Sequence, residues 1–241
     1  MELNNNNVTI ESKIMDELLL RINEGKYIVN DKLPSDNELS EKYSVPRIKI
    51  RRVYERLEQM GYVYSLQGRG RFVKNRNENI ALVLSGNESF TKKISEQGYD
   101  LESKNIFCEK IKYNERIYRE MSADKEDEIY KIGRLRIVNG EPIAIHISYV
   151  SKKTFEFIDE EGKNIKSMFE YYRNKGFTKY LTEKSALLIS YPTSEERNYL
   201  KCGELVPVVK LETNCKDEEK GIVLEYTEIL YRGDRFKYEI Q

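Results

Sequence analysis

The chain has 241 residues, in which 41 basic residues balance 41 acidic ones and 39% of residues are hydrophobic. This length predicts one or two domains, each with its own core. A net charge of zero excludes a chain-wide attraction to nucleic acid, so any such role must rest on local charge. Three cysteines without metal-ligand spacing, and no apolar run of the ~20 residues that cross a bilayer, predict a reduced, cytoplasmic protein without a signal peptide or membrane span.

Three helices are predicted in the first sixty residues. Residues 9–23 carry an apolar stripe at helical spacing. Ser35 and Glu38 form a capping-box pattern that opens a short helix over 36–43. A turn at Ser44-Val45-Pro46 leads into the second helix of this pair, over 46–60, because proline fits the first turn of a helix. This order is typical of a helix-turn-helix.

A short hairpin is predicted to follow, and within residues 1–74 the net positive charge is confined to the second helix and this hairpin. Residues 62–64 and 71–73 alternate as strands around Gln67-Gly68-Arg69-Gly70. Residues 47–74 hold eight Lys or Arg against two Glu, a net of +6 (8 − 2). The charge therefore lies on the second helix and the hairpin, the two parts of a winged helix-turn-helix that meet a duplex. The alternative for a charge run alone is a solvated helix face.

The same stretch resembles the DNA-binding domain of GntR-type bacterial repressors. The match covers Ile10 to Val73 and rests on L-P-S-D-N-E-L-S-E-K-Y-S-V-P-R-I-K-I-R-R-V-Y-E-R-L-E-Q-M-G-Y followed by Q-G-R-G-R-F-V. The resemblance implies DNA contacts by seven residues: Ser35, Arg47, Lys49, Arg51, Arg52, Gly68 and Arg69. Asn37 stands where many members carry arginine, and Pro46 replaces a serine. Both departures affect which operator sequence is read.

A domain boundary is predicted where the composition changes. Residues 1–74 form the winged helix-turn-helix, residues 75–82 form a polar linker, and residues 83–241 form a second domain. In the second domain strands outnumber helices, and hairpin signals such as Asn139-Gly140-Glu141-Pro142 join them. The sequence predicts an α+β domain on a largely antiparallel sheet.

The second domain resembles the UTRA effector-binding domain, which has a chorismate-lyase-like fold and defines the HutC-type branch of the GntR repressors. The resemblance covers about residues 89–236. It rests on R-L-R-I-V-N-G-E-P-I-A-I-H-I-S-Y-V, S-M-F-E-Y-Y-R-N-K-G-F and V-L-E-Y-T-E-I-L-Y-R-G-D-R-F. The resemblance implies the chorismate-lyase-like fold, a small-molecule effector and a homodimer.

Two arginines in this domain predict an anion site. Arg134 and Arg136 alternate on one strand, so their side chains share a face. Their planar forks suit phosphate or carboxylate, and two adjacent guanidiniums repel each other unless an anion lies between them. The alternative is an exposed strand face paired with glutamates. The resemblance implies a pocket of nine residues: Phe90, Thr91, Arg134, Arg136, His146, Ser167, Phe169, Glu225 and Tyr231.

Several of these residues also have plainer interpretations. Ser167 opens a predicted helix over 166–175 and caps it, or binds an anion at its positive end. Glu225 could equally be a solvated strand residue and Tyr231 a core residue, while Phe90 and Thr91 could serve as core and N-cap.

His146 is the one histidine, and it stands where the family usually has an acidic residue. A neutral histidine removes a negative charge from the pocket and can donate to an anion. The alternative is a satisfied, half-buried residue.

These observations predict a ligand-responsive transcription factor, with a repressor favoured. A homodimer would bind an inverted-repeat operator in double-stranded DNA and release it when a small anion, favoured as a sugar phosphate or amino-sugar phosphate, occupies the pocket. We expect no catalytic residues, no metal and no cofactor, since paired acid–base, nucleophile and phosphate-loop patterns are missing from the sequence. The alternatives are an activator, a constitutive DNA-binding protein with a non-functional pocket, and a lyase-like enzyme.

Overall fold

The structure, a computed structural model, describes residues 9–75, 80–83 and 90–239. The chain divides into two compact units, one formed by residues 1–79 with 202–206 and the other by residues 80–201 with 207–241. Part of the predicted linker, residues 76–79, lies outside the described residues. The linker is predicted to extend to residue 82, but residues 80–83 form a strand that pairs with a C-terminal strand, and Ile80 is buried.

The first unit is a three-helix domain with a two-stranded wing. Its elements are helices α1 (Ile10–Asn23), α2 (Asp36–Tyr43) and α3 (Arg47–Gln59) and strands β1 (Val63–Leu66) and β2 (Gly70–Val73). Helix α2 begins at a complete capping box and ends at Tyr43. The next residue, Ser44, is its C-cap and has a φ of 52°, which turns the chain toward α3. The apolar stripes of α1 and α3 meet in one core that includes Ile14, Ile50 and Leu57. The predicted winged helix-turn-helix is confirmed.

The second unit alternates long strands with short helices. Its strands are β3 (Ile80–Val83), β4 (Leu101–Lys110), β5 (Ile129–Val138), β6 (Glu141–Ser151), β7 (Tyr180–Leu181), β8 (Ser185–Ser190), β9 (Val208–Asp217), β10 (Val223–Arg232) and β11 (Phe236–Glu239). Its helices are α4 (Phe90–Glu96), α5 (Glu115–Glu120), α6 (Ile158–Glu161), α7 (Met168–Asn174) and α8 (Ser194–Leu200), with a 3₁₀ turn at Gly162–Asn164.

One antiparallel sheet organises this unit. Within the described residues the strand order is β4-β5-β6-β10-β9, and both β7 and β8 pair with the outer side of β9. Strands β3 and β11 form a separate parallel pair. The α+β class and the largely antiparallel sheet are confirmed.

The differences from the sequence prediction include one divided strand and one additional helix. Residues 180–189 are predicted as a single strand, but β7 and β8 are separate, and between them the Glu183 backbone N–H donates to the Asn214 side chain (3.1 Å). Helix α5 was not predicted. It spans six residues and begins at the Asn114 cap, which is too short a stretch for helical periodicity to be visible.

No helix in the described part of the chain is both long and apolar enough to span a membrane.

Candidate functional site

The first candidate surface is the solvent face of α3. Ile50, Val53 and Leu57 are buried on one side of the helix, which leaves Arg47, Arg51 and Arg52 exposed on the other. The N-terminus of α3 has no side-chain cap, because Pro46 occupies that position. Its first amides are therefore available to an acceptor such as a phosphate.

Lys49 is placed differently from the three arginines. It is half-buried, and its Nζ lies 3.7 Å from a carboxylate oxygen of Glu11 on α1. Ile48 is 52% exposed beside it, an apolar side chain among cations that the charge pattern did not single out. An apolar group at the start of such a helix can contact a thymine methyl group in the major groove.

The wing is fastened to the helices by Arg71. Its guanidinium lies 2.5 Å from Asp36 on α2 and 4.4 Å above the ring of Tyr54 on α3. The Tyr54 hydroxyl donates to the Pro34 carbonyl (2.5 Å), which joins the start of α2 to the same cluster. Arg71 therefore orients the wing. The Ser35 hydroxyl caps α2 by accepting from the Glu38 amide (3.3 Å), and Ser35 is exposed.

The wing tip is exposed. Gly68 has a φ of 71°, a conformation that glycine adopts without strain, and open space surrounds the position of a Cβ there. Arg69 follows it and is exposed.

The second candidate surface is one face of the large sheet in the other unit. Arg136, Ala144 and Tyr231 form one row across β5, β6 and β10. Arg134, His146 and Ile229 form the adjacent row. The register therefore brings the two predicted arginines, His146 and Tyr231 together, and all four are buried.

The two guanidiniums have incomplete hydrogen bonding. Arg134 Nη2 donates to Ser148 Oγ (2.5 Å), and Arg136 Nη1 donates to Ser103 Oγ (2.6 Å) and to the Lys166 carbonyl (3.1 Å). Among the described residues, neither Nε has a hydrogen-bond partner. Burial lowers the pKa of both guanidiniums; Arg134 lowers that of Arg136 further, and the Glu225 carboxylate opposes the shift at Arg134. Buried donors without acceptors are costly, so these two Nε–H groups are suited to an anionic acceptor.

Arg232 on the same sheet shows what a structural arginine looks like. It is 1% exposed, and it binds Asp234 through two hydrogen bonds (3.0 and 2.8 Å). Its remaining donors reach the Pro142 and Leu200 carbonyls (2.9 and 3.2 Å). Arg134 and Arg136 have no comparable carboxylate partner among the described residues. Arg232 therefore has the partners of a scaffolding arginine, and the described contacts of Arg134 and Arg136 are of a different kind.

Comparison with known proteins identifies both units. Residues 96–237 match the UTRA domain, and residues 10–73 match the bacterial regulatory proteins of the gntR family. The UTRA match alone spans more than half of the chain.

The chain is a GntR-family transcriptional regulator with a UTRA domain. This GntR-family regulator therefore binds operator DNA through its winged helix-turn-helix and a small-molecule effector through its UTRA domain, and it is not an enzyme.

Relatives that are named as repressors match this chain over nearly their whole length. The HTH-type transcriptional repressor NagR of Bacillus subtilis (strain 168) is 28% identical over 233 residues, which cover 96% of this chain and 93% of that protein. The probable fructoselysine utilization operon transcriptional repressor of Escherichia coli (strain K12) is 24% identical over 241 residues, covering 96% and 92%. The crystal structure of PhnF from Mycobacterium smegmatis shares the fold, with a TM-score of 0.61, 18% identity and coverage of 97% and 98%.

Four other predicted pocket residues of the UTRA domain have different surroundings. The Phe90 ring is 5.8 Å from the Arg136 guanidinium carbon, whereas Thr91 is exposed on α4. Ser167 caps α7 by accepting from the Glu170 amide (3.4 Å), which is the plainer of its two interpretations. Phe169 packs edge-on against Tyr180 at 5.1 Å, in an aromatic cluster.

The structure adds three residues that the sequence analysis did not single out. Tyr172 is fully buried on α7, and its hydroxyl interacts with the Glu225 carboxylate. Burial and then the Glu225 carboxylate raise the pKa of Tyr172, so its hydroxyl remains protonated. Ser103 and Ser148 hold the arginines from the flanking strands. Only the strand register could have identified the two serines, and Tyr172 comes from a helix whose position sequence periodicity does not fix.

Proposed function

We propose that this regulator is a repressor which binds an inverted-repeat operator as a homodimer and is released by a small anionic metabolite. The observation that carries the proposal is the pair of buried guanidiniums, Arg134 and Arg136, whose Nε–H groups have no acceptor among the described residues. The relatives named as repressors support the direction of regulation. Operator binding requires access to chromosomal DNA, which supports a cytoplasmic location.

The DNA contacts divide between the recognition helix and the wing. Arg47, Arg51 and Arg52 form an exposed basic face on α3, suited to phosphates or base edges of the major groove. Gly68 and Arg69 at the wing tip would follow the neighbouring minor groove, and Ser35 would donate to a phosphate. Lys49 has a lesser part, since it is half-buried and its Nζ lies 3.7 Å from a Glu11 carboxylate oxygen. Arg51 Nε also lies near a carboxylate, 4.0 Å from Asp36 Oδ2, but Arg51 is exposed.

The charge of the pocket favours a phosphorylated sugar. Two guanidiniums outweigh the single Glu225 carboxylate, so the site favours an anion. Glu225 and the Tyr172 hydroxyl add a polar end beside Arg134, where sugar hydroxyls could bind. The relative named for a fructoselysine utilization operon supports a sugar derivative as the effector.

The edge strand β8 supports a homodimer. Its one neighbour among the described strands is β9, which leaves its outer backbone edge unpaired. Leu187, Leu188 and Ile189 are exposed on this strand, and Ile189 is 80% exposed. An uncharged, apolar free edge invites pairing with another chain. Antiparallel pairing of β8 with β8 of a second copy would continue the sheet about a twofold axis, the commonest symmetry of homo-oligomers.

A thermal-shift screen tests the effector proposal. Purified protein is screened against phosphorylated sugars, amino-sugar phosphates and small carboxylates, together with the Arg136→Gln variant. An effector present at a hundredfold excess over its Kd should stabilise the fold by about 2.7 kcal/mol, and the variant should lose that shift. No shift with any anion at millimolar concentration would contradict the proposal.

A further inference from the structure

His146, one of the nine predicted pocket residues, lies on the pocket face beside Arg134. It is 4% exposed, and the strand register sets it between Arg134 on β5 and Ile229 on β10. The Phe90 ring from α4 packs edge-on at 4.8 Å, and the Tyr231 ring lies at 5.9 Å. Its Nε2 is buried and has no hydrogen-bond partner among the described residues.

The charged and titratable groups around His146 come from two strands. Strand β5 contributes Arg134 and Arg136, and β10 contributes the Tyr231 hydroxyl and, farther along, the Glu225 carboxylate. Helix α4 contributes the uncharged Phe90 ring. Burial, and then the two guanidiniums, lower the pKa of His146 well below its ordinary value of 6.5, so the imidazole is neutral at pH 7 when no anion is bound.

An anion bound between the arginines would raise the pKa of His146 again. With a neutral His146 the pocket carries two positive charges against one carboxylate, an excess of one. A bound monoanion cancels that excess positive charge. A bound dianion leaves the pocket with one net negative charge, which one added proton would neutralise. The nearest group able to accept that proton near neutral pH is the imidazole.

We propose that His146 takes up a proton when a dianionic group binds beside Arg134 and Arg136, and that the resulting imidazolium donates from Nε2 to the bound anion. This inference rests on the proposed anionic effector and adds its charge class. His146 thereby selects dianions such as phosphate monoesters over monoanions such as carboxylates or sulfate monoesters. The proton comes from solvent on binding and returns to it on release, so no co-reactant is needed.

The coupling predicts how affinity depends on pH. Because the complex holds one more proton on His146 than the free protein does, lowering the pH strengthens binding. The gain is limited near pH 6, where a phosphate monoester itself becomes a monoanion. Between pH 8 and pH 7 the affinity for a phosphate monoester should therefore rise by up to about tenfold per pH unit, the limit for uptake of one proton.

The imidazole can be observed directly, since His146 is the one histidine of the chain. The experiment records its ¹⁵N and Cε1–H NMR signals in the full-length protein at pH 7, free and saturated with inorganic phosphate, glucose 6-phosphate or glucosamine 6-phosphate. Glucose 6-sulfate, a fixed monoanion of the same shape, serves as the matched ligand control. We expect a neutral imidazole in the free protein and with the sulfate ester, and an imidazolium in the phosphate complexes.

The variant His146→Asn is the second arm, because asparagine keeps a donor but cannot titrate. It should bind the same phosphate probe about tenfold more weakly at pH 7, with no dependence on pH between 7 and 8. A saturated phosphate complex with a neutral imidazole, or an imidazolium already present in the free protein, would overturn the inference while leaving the anion pocket intact. Absence of binding by every phosphate probe in calorimetry would overturn the anionic effector and this inference together.

Discussion

Arg134 lies directly opposite His146 in the antiparallel pairing of β5 with β6, so a guanidinium and an imidazole stand side by side beneath the surface. The hydrogen bond recorded for Arg134 goes to the neutral Ser148 hydroxyl. Burial of the Arg134 guanidinium without a carboxylate ion pair opposes folding, and it keeps the neighbouring imidazole neutral. We expect binding of the proposed anionic effector to offset this cost.

The recognition helix is tested by the salt dependence of operator binding. Arg51→Ala removes an exposed cation of α3, so operator affinity should fall and the slope of log K against log salt should decrease by about one. Fluorescence anisotropy at several salt concentrations measures both quantities. Arg21→Ala on α1 is the control, since Arg21 pairs with Glu17. If Arg51→Ala leaves affinity and slope unchanged, Arg51 is not part of the interface.

The dimer edge is tested by charge. Ile189→Lys places an ammonium on the most exposed apolar position of β8 and should prevent pairing with a second copy, giving a monomer in light scattering. Phe157→Lys is the control, because Phe157 is also exposed but lies outside β8. A dimer that survives Ile189→Lys, or a parent protein that is already monomeric, would contradict the assignment.

Removal of two buried arginines of the same sheet should change the stability by different amounts. Arg232→Met leaves the buried Asp234 carboxylate without its guanidinium and should lower the free energy of unfolding by about 3 to 5 kcal/mol. Arg134→Met removes a buried cation with incomplete hydrogen bonding and should cost much less, or stabilise the effector-free protein. Urea denaturation without phosphate in the buffer compares them. Equal losses would show that Arg134 is a scaffolding residue.

The pH dependence of stability reports on His146 without any ligand. Its pKa is lowered in the folded state, so below its ordinary value of 6.5 the unfolded chain takes up a proton that the folded protein does not. Stability is unaffected above that pH and is lost as the pH falls, by up to about 1.4 kcal/mol per unit. Denaturation between pH 7 and 5.5 should show this loss, and His146→Asn should remove that share of it. Parallel curves for the two proteins would mean that His146 titrates normally.

The DNA-binding unit was largely predictable from local signals. Capping at Ser35, the proline turn and the wing glycines each act within a few residues, and the structure has all of them. Lys49 was less predictable, because the position of Glu11 beside it depends on how α1 packs on α3.

The pocket was predictable only in part. Alternation along one strand places Arg134 and Arg136 on the same face whatever the neighbours are. The partners of that pair come from strand register and helix docking, which bring Ser148 and Tyr172 from distant parts of the chain. The Glu183 backbone contact between β7 and β8 likewise involves the Asn214 side chain of another strand. Such contacts are not readable from one sequence.

Release of operator DNA by a phosphorylated sugar tests the whole account most directly. The operator, selected from random duplexes, is bound to the parent protein, to Arg136→Gln and to Lys210→Gln, a control in which the altered lysine pairs with Glu212 and Glu228. The phosphorylated sugar with the largest thermal shift should weaken operator binding five- to 150-fold for the parent and the control. It should have no effect on Arg136→Gln, whose affinity without effector should be normal. An Arg136→Gln protein that still releases DNA with the sugar, or that fails to bind DNA without it, would contradict the account.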